Sequence, residues 1–107
     1  MGPTDWRKAA EYELKENRTA EYKAYKKAGR LNELLTRMTE MAMEEYDKNL
    51  AWWNEVYPAE KQYKTENPTP QEISSAYLQN EWAARDMTEE ALGTIAARAM
   101  YELEEKQ

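Results

Sequence analysis

The stretch from Arg30 to Tyr57 lies between Gly29 and Pro58, and it constrains the fold more than any other part of the chain. Stepped at about 100° per residue, it places Leu31, Leu34, Leu35, Met38, Met41, Ala42 and Val56 in one stripe. Trp52 and Trp53 fall on the two flanks of that stripe, where both can be inside. Met43, Tyr46, Leu50 and Tyr57 form a second ridge beside it. Together these positions span an arc of roughly 200°, about twice that of an ordinary surface helix. Glu33, Arg37, Glu40, Glu44, Asp47, Lys48, Asn54 and Glu55 fill the remaining arc. One neighbouring helix cannot cover so wide an apolar surface. The segment is therefore predicted to be a central helix, covered on two sides.

Its neighbours follow from end signals. Thr4 is a candidate N-cap and Gly29 a candidate C′ residue, with Lys26 and Lys27 where the helix dipole favours cations. They bound a first helix over about 5–28, antiparallel to a second over about 30–57. Residues 58–69 are polar and form an internal linker. Thr69-Pro70-Gln71-Glu72 is a capping box with proline at the first helical position, and it opens a third helix over about 70–85. Asp86-Met87-Thr88-Glu89 offers a second box for a helix over about 88–104. Ile73, Ala76, Tyr77, Ala84 and Met87 make the expected inner stripe of the third helix, with Leu78 and Trp82 facing away. Leu92, Ile95, Ala96, Ala99, Met100 and Leu103 make that of the fourth. No β-alternation or repeat is present. The prediction is an all-α fold: a long antiparallel helical hairpin with two shorter C-terminal helices packed on it, in one domain of 107 residues.

Composition agrees, with a qualification. Leu, Ile and Val number eleven and Phe is absent, below the roughly 20% at which disorder becomes a live reading. Against disorder stand four Trp, eight Tyr, six Met and fifteen Ala, which fill cores and favour helix. Trp, Tyr, Met and Arg are also the residues that interfaces collect. Cysteine and histidine are absent, which removes thiolate chemistry, disulfides and the commonest general base and metal ligand. No cofactor is expected. No apolar run approaches the ~20 residues of a membrane span and no signal-peptide core is seen, so a cytoplasmic protein is expected.

Charge is uneven: residues 1–30 hold eight Lys/Arg and five Asp/Glu, residues 31–107 seven and sixteen. The acidic helix end at Glu102, Glu104 and Glu105 opposes the dipole, and the basic first helix is the expected compensating surface. In a hairpin about Gly29, position 13 faces about 46, so Glu13 and Glu45 come to one height. There they must share a proton, pair with a cation such as Arg18, or bind a metal.

Glu13-Leu14-Lys15-Glu16 followed by Glu44-Glu45-Tyr46-Asp47 resembles the ExxE…ExxD pattern of the all-α nucleoside-triphosphate pyrophosphatases of MazG type. That resemblance implies magnesium held by Glu13, Glu16, Glu44 and Asp47 against a nucleotide's phosphates. The wheel places Glu44 and Asp47 on the polar arc, so this enzyme stands as the alternative to a non-catalytic reading.

Two charged faces remain. Lys8, Lys15, Lys23 and Lys26 with Tyr12 and Tyr22 form a basic, aromatic face that suits nucleic acid. The net charge of −6 opposes that use. Glu33, Glu40, Glu44, Asp47 and Glu55 form an acidic row able to imitate phosphates. In size, charge and helicity the chain resembles the small acidic inhibitors carried by phages and mobile elements. The reading adopted is a non-catalytic module that binds and regulates or inhibits another protein, expected also to form a homo-oligomer such as a dimer. Its partner-binding residues are expected to be Met43, Tyr46, Leu50, Trp53, Tyr57, Leu78 and Trp82. No membrane partner and no direct nucleic-acid binding are expected.

Overall fold

The computed structural model describes residues 5–58 and 67–105. These form five α-helices and no strand: α1 (Trp6–Asn17), α2 (Thr19–Lys27), α3 (Leu31–Val56), α4 (Pro70–Glu90) and α5 (Leu92–Glu105). The fold is all-α, and α3 packs against α1, α4 and α5.

Local chemistry sets the helix ends. Asp5 caps α1 by accepting the Lys8 N–H at 3.1 Å; Thr4, the expected cap, lies outside the described residues. Gly29 stands at φ +73°, with its N–H on the Lys26 carbonyl (3.1 Å) and the Arg30 N–H on that of Tyr25 (2.9 Å). That pair of bonds is a Schellman closure, and it needs the left-handed conformation glycine adopts without steric cost. The Thr69 hydroxyl accepts the Glu72 N–H at 3.2 Å, as the capping box requires. Of the expected linker, residues 59–66 lie outside those described.

Two boundaries differ from the sequence reading. The first arm is broken at Arg18 (φ −139°, ψ 50°), which separates α1 from α2. Asn17 and Thr19, on either side of Arg18, are weak helix formers, and the Thr19 hydroxyl bonds back to the Lys15 carbonyl (2.8 Å), a contact that bends helices. The arm therefore folds back early. Arg7 donates to Thr36 (3.3 Å) and to Asn32, whereas equal distance from Gly29 would set it level with about residue 52. Second, α4 runs through Asp86 to Glu90, so Asp86 caps nothing. Thr88 is buried, donates to the Ala84 carbonyl (2.8 Å), and continues the helix.

The chain forms two compact units, residues 1–44 with 89–107 and residues 45–88. The first has an apolar core: Trp6, Ala10 and Leu14 of α1, Leu34, Leu35, Met38, Met41 and Ala42 of α3, and all six positions expected of α5 are buried. Each buried large apolar side chain contributes about 1.5–3 kcal/mol. Ala24 and Ala28 are exposed, and α2 buries no residue.

At the acidic end of α5 the cations come from α3 and from the residue just before it. Arg37 forks onto Glu102 (2.7 and 3.2 Å) and Arg30 donates to the Leu103 carbonyl at 3.3 Å. A bidentate guanidinium–carboxylate pair and a cation on a terminal carbonyl answer both the charge and the open acceptors.

Candidate functional site

The second unit is built on an unusual inward face. In α4, Ala76, Asn80, Ala84 and Thr88 recur every four residues and are buried. From α3, Asn49 is buried and donates to the Thr88 hydroxyl at 3.1 Å. Asn80 donates to the Asn54 side chain and to the Tyr57 carbonyl, both at 2.9 Å. The polar groups satisfy one another, so burying them is tolerable. The row is too small, however, to shelter large side chains. Among the described residues of 45–88, no Leu, Ile, Val, Met, Trp or Tyr is fully buried.

Those large side chains form a surface. Trp52 is 48% exposed and Tyr57 50%, with Val56 similarly open. The Trp52 and Trp53 rings stand 86° apart at 5.2 Å, and Trp53 stacks on Tyr57 at 5.1 Å. The Trp53 indole N–H donates to the Met87 sulfur at 2.8 Å, fixing the middle ring against α4. Trp82 is 44% exposed, and Tyr77 is also exposed.

Of the residues expected to bind a partner, Tyr57 and Trp82 are open in this unit, while Tyr46, Leu50, Trp53 and Leu78 are half-buried. Burial foremost, then Glu81 and Asp47, push the Tyr46 hydroxyl pKa up, and Arg85 opposes them. Met43 belongs to the other unit and is 54% exposed. The sequence reading missed Trp52, Val56, Tyr77 and Met87, which it placed inside. The signal was present: Asn49 interrupts the α3 stripe, and Ala76, Asn80, Ala84 and Thr88 form a four-residue repeat of small or polar groups.

The charged constellations rearrange. Glu13 and Glu45 belong to different units. Glu13 accepts from Asn17 at 2.9 Å, and its other oxygen lies 3.3 Å from where a β-carbon on Gly93 would stand. Arg18 donates to the Gly93 carbonyl at 3.4 Å and pairs with Glu21 at 4.0 Å. No group of three or more acidic side chains among the described residues could hold a metal ion.

In the acidic row, Glu33 pairs with Arg30 and Glu40 with Arg37, each at 3.3 Å; Glu44, Asp47 and Glu55 are exposed. Two of its five charges thus have cationic partners. On the basic face the Arg18 break divides Lys8 and Lys15 from Lys23 and Lys26. Lys15 is bound to Glu11 at 2.8 Å, with its ammonium 5.5 Å above the Tyr22 ring.

The chain matches no protein-family model, no curated protein and no solved structure.

Proposed function

We propose that this chain is a small, acidic, non-catalytic helical module that binds another protein through the aromatic surface of residues 45–88, regulating or inhibiting that partner. One observation carries the reading: this unit's buried row consists of Ala, Asn and Thr, while Trp52, Val56, Tyr57, Tyr77, Trp82 and Met87 are exposed. Small domains depend on apolar burial, and clustered exposed Trp and Tyr are what interface cores collect. A second copy and an unrelated protein are both admitted as partners.

The test is sedimentation of the wild type at rising concentration and of whatever co-purifies with it from its host. The reading expects self-association or a retained protein. It expects Trp52→Ala combined with Trp82→Ala to abolish either one while helicity by circular dichroism stays intact. A wild type that remains monomeric and holds nothing overturns it, as does a double variant that behaves like the wild type.

A further inference from the structure

Resting on the interaction reading above, we infer that the occupant of the 45–88 surface is a basic segment with apolar side chains, its arginine or lysine seated against Trp52 and facing Glu55. The charge around the rings selects this chemistry. Residues 45–88 contain eight Asp/Glu against four Lys/Arg. Among those described, Asp47, Glu55, Glu81 and Asp86 are exposed, whereas Lys48 is the exposed cation and Arg85 is half-buried beside Tyr46.

The rings supply the second element of recognition. Trp52 and Trp53, 86° apart at 5.2 Å, form two sides of a corner. The Tyr57 ring already stacks on Trp53, which leaves Trp52 the more open of the two indoles. An indole face attracts cations through its quadrupole, and a guanidinium also stacks on it. Glu55 follows Trp52 by three residues, the spacing of neighbours on a helix surface, and is exposed. A cation over Trp52 therefore gains a counter-charge. Lys48, four residues before Trp52, repels it and directs it toward Glu55. Val56, Tyr57 and Met87 give the segment's apolar side chains their contact.

Other occupants fit less well. A second copy joined through the same face would set its own carboxylates against these, because a two-fold interface is self-complementary. Nucleic acid would bring phosphates against the same carboxylates.

The experiment uses the full chain, a synthetic amphipathic peptide of arginine and leucine, a length-matched peptide of glutamate and leucine, and a single-stranded oligonucleotide. Tryptophan fluorescence and calorimetry read binding. The arginine peptide alone is expected to bind, more weakly as salt rises. Trp52→Ala and Glu55→Gln should each lower its affinity roughly two- to fivefold. Lys48→Gln should raise it, and Glu33→Gln in the other unit should leave it unchanged. Equal binding of both peptides, binding of the oligonucleotide, or indifference to Glu55→Gln overturns the inference. If Trp52→Ala/Trp82→Ala still abolishes assembly while the arginine peptide fails to bind, this inference falls and the interaction reading stands.

Discussion

Arg37 shows how much one side chain can settle. It lies on the polar arc of α3, yet it forks onto Glu102 and also reaches Glu40, and these partners hold its pKa above the ordinary arginine value. Because both partners of the Glu102 pair are partly exposed, Arg37→Gln should cost only about 0.5–1 kcal/mol, read from urea unfolding. A larger loss would mean that the pair also positions the end of α5. Tyr25 presents the opposite case, since its hydroxyl is buried with no hydrogen-bond partner among the described residues. Tyr25→Phe removes an unsatisfied group, so it should be neutral or stabilising by up to ~1 kcal/mol. A marked loss would reveal a bonded hydroxyl. Gly29→Ala forces a β-carbon into φ +73°, and it should destabilise by roughly 1 kcal/mol, with Gly29→Asn costing less.

At the scale of the element, α4 is the instructive helix. Of the inner stripe expected from the sequence, Ala76 and Ala84 are buried and Ile73 is half-buried, whereas Tyr77 and Met87 are exposed and Asn80 and Thr88 complete the buried row. Burial there follows close approach and paired polar groups rather than apolar bulk. A single mutant should therefore strand its partner: Thr88→Val leaves the Asn49 amide without its acceptor and should cost ~1–3 kcal/mol. Adding Asn49→Leu should recover part of that loss, a non-additivity visible in a double-mutant cycle. Additive losses would show that the bond has no energetic role. In the first arm, α2 buries no residue, and a nine-residue helix is marginal on its own. Its amides should exchange faster than those of α1 and α5.

For the whole molecule, a fall in stability at alkaline pH is expected from two half-buried tyrosines, Tyr25 and Tyr46. Burial foremost raises the hydroxyl pKa of Tyr25, aided by Glu104 and Glu33 and opposed by Arg30; Tyr46 is raised in the same direction. The folded chain then holds these protons more tightly than the unfolded one. Their stabilising contribution is complete below the ordinary tyrosine value of about 10 and is lost as pH rises through the raised folded values. Urea midpoints should fall in that range, and Tyr25→Phe with Tyr46→Phe should flatten the decline. An unchanged slope would place its origin elsewhere.

Sequence by itself determined the helical class, the Schellman turn at Gly29, the cap at Thr69, all six buried positions of α5 and most of the α3 stripe. These depend on helical period and on local backbone bonding, which are written in neighbouring residues. Only the tertiary structure decided the break at Arg18, the ends of α4 and α5, the Arg37–Glu102 fork, and which aromatic side chains of residues 45–88 stay open. Those outcomes depend on what stands opposite each face. A helical wheel ranks directions by greasiness, but burial goes to the face that a neighbour can approach, and in this unit that was the row of small residues.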